Sequence, residues 1–349
     1  MKKIRVLIVE DSQVIREYLQ HIIARDPRLE IAGAVESGEE ALRILDRVSP
    51  DVISLDIRLP GMNGFEVTRR IMRERPTPIV VVSASVACED LQITMNALHE
   101  GALTVLEKPR GVTSNEFEVL AERLCTQLAI MSQVKVVRRH AATRPISRVF
   151  QRIPRSLAGF RALGIVSSTG GPKALMQVLG GLGAQFPLPI LAVQHITSSF
   201  LEGFASWLES VSPFRVEIVR DRLVAAPGTV YFAAPDHHLR AESGFVRIDH
   251  GNPVCAQRPS GTVLFESMAA AFGDEAVGVL LTGMGEDGAE GLLRLRQRGA
   301  HTIAEDESTA VVYGMPAEAM RLGGVTESLP LPAIAPRIRE LIVPQSEVA

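Results

Sequence analysis

The amino-acid sequence predicts an α/β protein built from two doubly wound domains, and three observations carry that expectation. Residues 1–125 alternate short apolar runs with helix-period patterns five times over, the signature of a parallel sheet covered by helices. A stretch then follows, "SQVKVVRRHAATRPISRVFQRIPRS", with seven Lys or Arg, two Pro and no acidic residue. From about residue 160 the alternation of apolar runs and helical patterns resumes.

In the first domain the runs are "IRVLIVE", "LEIAGAV", "DVISLD", "PIVVVSA" and "ALTVLEK". Its closing helix is marked by Phe117, Leu120, Leu124, Leu128 and Met131 at helical spacing, after Ser114 as N-cap candidate. These runs give a (βα)5 domain over residues 1–125. Residues 126–159 form the basic interdomain linker. A second domain over 160–345 contains "RALGIVS", "PILAVQH", "RVEIVRD", "GTVYFAA", "HHLRAE", "FVRIDH", "AVGVLLTG" and "HTIAED". The first two of these and "AVGVLLTG" are nearly continuous in apolar residues, as for parallel strands covered on both faces. The middle runs are closely spaced and read as an antiparallel addition.

Composition excludes several classes of function. Hydrophobic residues make up 46 % of 349 and the formal net charge is -3, so the chain reads as globular, with no bulk electrostatic partner. The basic stretch lacks interleaved aromatic residues and no helix-turn-helix pattern is legible, so nucleic acid is not expected as a partner. The three cysteines, Cys88, Cys125 and Cys255, are widely separated, which fits neither a disulfide framework nor a zinc knuckle and suits the cytoplasm. The opening "MKKIRVLIVEDSQ" regains charge after five apolar residues, so it reads as a first strand and not a signal peptide. No segment approaches the roughly 20 apolar residues that span a bilayer, so no direct membrane insertion is expected.

In a doubly wound sheet the carboxyl ends of the strands form the ligand crevice. The first domain brings Glu10 and Asp11, Asp56, Ser83 and Lys108 to those ends. Three carboxylates in one crevice repel one another, and a hard divalent cation with oxygen ligands, Mg²⁺, resolves that repulsion. Any one of these acids alone reads equally well as a helix N-cap. Together they resemble a response-regulator receiver domain, a flavodoxin-like fold. The resemblance implies Asp56 as phosphoacceptor. It also implies Glu10, Asp11, Asp56 and the Arg58 main-chain carbonyl as the Mg²⁺ site, and Ser83 and Lys108 as phosphate contacts. Where receivers often carry Phe or Tyr as a switch, this chain has Val105, which argues against output by aromatic flipping.

In the second domain "GIVSSTGGPKAL" runs from a strand through small residues into a helix, placing Ser168 in the turn with Gly170, Gly171 and Pro172. Ser167 or Thr169 would serve equally well as a reactive hydroxyl there, and a lone serine in such a turn is more often a helix cap. A hydroxyl needs a base to become nucleophilic. "PILAVQH" ends in His195, and "AVGVLLTG" leads into "MGEDGAEGLL", which contains Asp287. His195 also reads as an ordinary strand-end histidine and Asp287 as a helix N-cap. Together the three strand ends supply the parts of an acyl-transfer site. The order Ser, His, Asp and the lack of G-x-S-x-G separate it from the α/β-hydrolases.

The phrases "SSTGGPKAL", "QHITSSF", "APGTVYFAAPDHHL", "RPSGTVLFESMA", "LTGMGEDGAEGL" and "VVYGMPAEAM" resemble the catalytic domain of the chemotaxis protein-glutamate methylesterases, the CheB family. The resemblance implies Ser168 as nucleophile, His195 as base and then acid, Asp287 as its orienter, and backbone amides at Thr169 and Met284 as the oxyanion hole. It implies hydrolysis of glutamyl γ-methyl esters on chemoreceptors with release of methanol, deamidation of receptor glutamines, and no cofactor for the hydrolysis. A chemotaxis-type histidine kinase is the implied phosphodonor, and the receiver is read as a gate on the esterase. The chain departs from the family at Ile196-Thr197, where Met-Pro is usual, at Thr262, where Asp is frequent, and at Glu305, where Gln is frequent. The alternative is a receiver coupled to an interaction module without esterase activity.

Overall fold

A computed structural model describes residues 2–83, 94–98, 100–108, 114–134, 136 and 159–342. The chain divides into two compact units, residues 1–143 and 144–349. Most of the expected linker, residues 137–158, lies outside the described residues.

The first unit runs β1 (Ile4–Val9), α1 (Gln13–Arg25), β2 (Leu29–Val35), α2 (Gly38–Val48), β3 (Val52–Leu55), α3 (Gly64–Glu74), β4 (Ile79–Ser83), β5 (Thr104–Glu107) and α4 (Ser114–Met131). Residues 94–98 between β4 and β5 are also helical. The five strands are parallel in the order β2-β1-β3-β4-β5. Every residue of β3 and β4 is buried, which is why both read as unbroken apolar runs. Helix starts are set by local chemistry. Ser37 accepts the Glu40 N–H at 3.3 Å to open α2, and Asn63 accepts the Glu66 N–H at 3.0 Å to open α3.

The second unit begins with β6 (Ala162–Ser167), α5 (Gly171–Leu182), β7 (Ile190–Gln194), α6 (Ser198–Val211), β8 (Arg215–Val219) and β9 (Arg222–Val224). It continues with β10 (Thr229–Ala233), β11 (His238–Glu242), β12 (Phe245–Asp249), α7 (Gly261–Ala271) and β13 (Ala276–Leu280). The last elements are α8 (Ala289–Gln297), β14 (His301–Glu305), α9 (Met315–Leu322), β15 (Glu327–Leu329) and α10 (Leu331–Ile342). A seven-stranded sheet has the order β15-β14-β13-β6-β7-β10-β8, and a three-stranded sheet the order β11-β12-β9.

The middle runs correct one expectation. Only "HHLRAE" and "FVRIDH" join an antiparallel sheet, as β11 and β12. "RVEIVRD" and "GTVYFAA" supply β8 and β10, which pair parallel to each other, and β10 pairs parallel to β7. The segment between β8 and β10 looks like a hairpin connection but detours through β9 into the small sheet, and that detour supplies the crossover a parallel pair needs. The chain enters the large sheet at β6, lays β7 on one side and later β13 on the other. Such a reversal of strand order opens a crevice at the strands' carboxyl ends, here beyond β6, β7 and β13.

Candidate active site

Ser168, His195 and Asp287 all lie beyond the carboxyl ends of these central strands. The His195 N–H donates to the Ser167 carbonyl at 3.0 Å, and the Ser168 N–H to the Thr282 carbonyl at 3.0 Å. Buried Gln194 locks the first two ends together. Its Oε1 accepts the Ser167 hydroxyl at 2.7 Å, and its Nε2 donates to the carbonyls of Ser168 and His195, each at 2.9 Å. Small residues permit this crowding. A Cβ on Gly171 would stand 2.0 Å from Gln194 Oε1, and one on Gly283 would stand 2.8 Å from Ser168 Cβ. Gly170 adopts a φ of 81° as N-cap of α5, with Pro172 in the first turn.

His195 Nε2 lies 2.9 Å from Asp287 Oδ2, with side chains only 9 % and 3 % exposed. With Nε2–H donating to the carboxylate, Nδ1 is the nitrogen left to accept a proton. Asp287 does not cap the helix that follows it; Gly288 does, with a φ of 88°. Its carboxylate instead serves the N-terminus of α7. Oδ1 accepts Ser260 Oγ–H at 2.6 Å and the Thr262 N–H at 3.1 Å, while Oδ2 also accepts the Gly261 N–H at 2.6 Å. Burial pushes this carboxyl up, but His195, Ser260 and the Gly261 amide outweigh it and hold the group below the ordinary aspartate value. Asp287 is therefore an anion throughout the neutral range, fit to hold an imidazole and stabilise its cation.

Among the described residues the Ser168 hydroxyl has no hydrogen-bond partner, and the hydrogen bond of the His195 ring goes to Asp287. Among the described residues no acceptor meets the N–H of Thr169 or of Met284. Thr169 is buried, whereas Met284 is 43 % exposed at the rim. Of the departures from the family pattern, Thr262 donates its N–H to Asp287 and accepts the Gly288 N–H at 2.9 Å through Oγ1. Thr197 caps α6 without a side-chain bond.

Three supporting residues escape sequence reading: Gln194, Ser260 and Thr282. Each works through a partner far away in the chain, and only Ser260, ahead of the apolar run "GTVLF", carries a local cap signature. Gln194→Ala is expected to lower kcat on the order of 10-fold or more with KM little changed, because it frees the carbonyls of Ser168 and His195 without touching substrate. Steady-state kinetics check this, and a change confined to KM would contradict it.

The first unit has its own cluster at the carboxyl ends of β1, β3, β4 and β5. Oxygen atoms of Glu10, Asp11 and Asp56 lie within 4.8 Å of one another. Lys108 Nζ bridges Glu10 Oε1 at 2.9 Å and Asp56 Oδ2 at 2.8 Å, all three side chains being buried. Burial, then the Asp56 charge, push the Glu10 carboxyl up to about 7 against the pull of Lys108. Burial likewise raises Asp56, and Lys108 opposes it. Ser83 is buried at the end of β4, its carbonyl accepting the Lys108 N–H at 2.9 Å. The Arg58 N–H faces Asp56.

Two family models match the chain: CheB methylesterase over residues 163–338 and the response regulator receiver domain over residues 6–115. A protein-glutamate methylesterase/protein-glutamine glutaminase of Paramagnetospirillum magneticum is 55 % identical over 347 residues, covering 97 % of this chain and 98 % of its own. One from Nitrosospira multiformis is 41 % identical over 349 residues, covering 99 % and 98 %. The crystal structure of the Thermotoga maritima CheB methylesterase catalytic domain matches with a TM-score of 0.50 and 34 % identity, covering 52 % of this chain and 99 % of that one. With its receiver domain in front and its serine, histidine and aspartate at the switch point of the larger sheet, the chain belongs to the CheB methylesterase family.

Proposed function

We propose that this chain is a phosphorylation-controlled serine esterase that hydrolyses glutamyl γ-methyl esters on the cytoplasmic domains of chemoreceptors, and that it deamidates receptor glutamines at the same site. The observation that carries the reading is the buried His195–Asp287 pair beside the Ser168 turn. Ser168 Oγ attacks the ester carbonyl carbon while its proton passes to His195 Nδ1. The oxygen anion that forms is met by the N–H groups of Thr169 and Met284. Collapse breaks the carbon–oxygen bond to the methoxy group, which takes the proton from His195 and leaves as methanol. Water then attacks the acyl carbon as His195 takes its proton; collapse breaks the bond to Ser168 Oγ, His195 returns the proton to that oxygen, and the glutamate leaves. A glutamine substrate follows the same course, with ammonia as the leaving group.

The receiver implies a phosphodonor kinase, here a chemotaxis-type histidine kinase, with Asp56 as acceptor and Ser83 and Lys108 as phosphate contacts. The donor set of hard oxygens suits Mg²⁺, with Glu10, Asp11, Asp56 and the Arg58 main-chain carbonyl as the residues that would hold it. When bound, it offsets the negative charge that the carboxylates and the phosphoryl group concentrate there. No cofactor is invoked for ester hydrolysis. No described helix is long and apolar enough to cross a membrane. In this reading the enzyme is cytoplasmic and acts on receptors from that side.

Methanol release from methylated receptor membranes, with and without a small-molecule phosphodonor plus Mg²⁺, tests both parts of the reading. A coupling of about 1–3 kcal/mol raises the wild-type rate by roughly 5–150-fold. Asp56→Asn abolishes the response and keeps basal activity. A wild type that releases no methanol sinks the esterase, and a wild-type rate indifferent to the phosphodonor sinks the control.

A further inference from the structure

Glu305 ends β14 and is wholly buried. Its Oε2 accepts the Thr282 N–H at 2.8 Å, while its buried Oε1 has no hydrogen-bond partner among the described residues. Thr282 in turn is the knot of the nucleophile side. Its carbonyl accepts the Ser168 N–H at 3.0 Å, and its hydroxyl donates to the Thr169 carbonyl at 2.8 Å and accepts the Val312 N–H at 2.9 Å. Glu305 thus stands one hydrogen bond from the residue that holds Ser168 and Thr169 and that leads through Gly283 into Met284. Nothing in acyl transfer as written above uses this carboxyl.

We propose that Glu305 is a positioning residue for acyl transfer, fixing the Thr282 amide and through it the backbone that presents Ser168, Thr169 and Met284. This rests on the esterase reading. What Glu305 supplies is an acceptor and not a charge. A buried carboxylate with one oxygen unpartnered is costly to ionise. Burial, and after it the Asp306 charge, raise its carboxyl against the Thr282 amide and the lesser pulls of nearby Thr309 and the Lys173 charge. An amide oxygen at the same place meets the same need without the cost.

Three forms of the full-length protein, wild type, Glu305→Ala and Glu305→Gln, are compared for kcat and KM in methanol release from methylated receptor membranes, with Tm recorded for each. Glu305→Ala should lower kcat on the order of 10–100-fold while KM stays within about twofold, since displaced reacting groups slow chemistry without weakening ground-state binding. Glu305→Gln should restore kcat to within about threefold of wild type. Should Glu305→Ala fail to fold, Glu305→Met fills the volume without a good acceptor and should show the same loss. Wild-type kcat in the Ala or Met variant, or a Gln variant as slow as they are at matched Tm, would overturn the inference. Absence of methanol release from the wild type is a separate result, which overturns the esterase reading before any variant is made.

Discussion

Ser168→Ala is expected to cut ester turnover by a factor on the order of 10⁴ or more, because covalent catalysis ends with the hydroxyl. The fold should survive. Among the described residues the Ser168 hydroxyl has no hydrogen-bond partner that its removal would orphan, and a stability change within about 0.5 kcal/mol is expected. Ser167→Ala is the informative control. Its hydroxyl is committed to Gln194 Oε1 at 2.7 Å and fully buried, so it acts on the clamp and not on substrate, and its loss should cost far less. Methanol release and Tm, measured on both variants, check the contrast. Mass spectrometry after a serine-reactive phosphonate should find the adduct on the peptide containing Ser168. Comparable turnover in wild type and Ser168→Ala would falsify the assignment.

Asp287→Asn is expected to lower turnover by a factor on the order of 10⁴ and also to lower Tm. Asp287 receives hydrogen bonds from the Gly261 and Thr262 amides, from Ser260 and from His195 Nε2, spread over both oxygens. Whichever way the Asn amide is turned, its NH₂ faces a backbone N–H that cannot reverse its polarity. If it turns toward His195, it also draws the imidazole into the other tautomer, with the proton on Nδ1 and no base left for Ser168. The pH dependence has a definite sign. The folded-state carboxyl lies below its ordinary value, so its stabilisation is present above the unfolded value of about 4 and lost as pH falls through the folded value. The Tm gap between wild type and Asp287→Asn should therefore be full near neutrality and close below about pH 4. A gap that persists unchanged to lower pH, or wild-type turnover in the variant, removes Asp287 from this role.

How much of this was legible in the sequence depended on the range of the interaction. The strands that run directly into Asp56, Ser168 and His195 are nearly continuous apolar runs, so the hydrophobic pattern alone locates their carboxyl ends. Strands β9 and β15 are three residues each, too short to carry a period, and both escaped. The parallel pairing of β8 and β10 was hidden because spacing along the chain says nothing of the detour through β9. Asp287 was readable as a site residue, but "EDG" before a helix points to the wrong helix. Its carboxylate closes on α7, which starts at Gly261, earlier in the chain. Gln194, Ser260 and Thr282 leave no pattern that distinguishes them from any other polar residue at a strand end or cap.

Ser168 and His195 each continue the sheet's ladder one step past their strands, directly after the paired positions Ser167 and Gln194. The sheet is thus a ruler as well as a scaffold. Because side chains alternate along a strand with a period of two, one residue inserted into β6 or β7 would turn every later side chain to the opposite face and carry the reactive group away from the crevice. The connections have no such parity. Segments such as 225–228 and 250–259 can change length without moving Ser168 relative to His195. Indels should therefore be tolerated in those loops and forbidden within the two strands, a division that deletion scanning across the second unit would map one residue at a time.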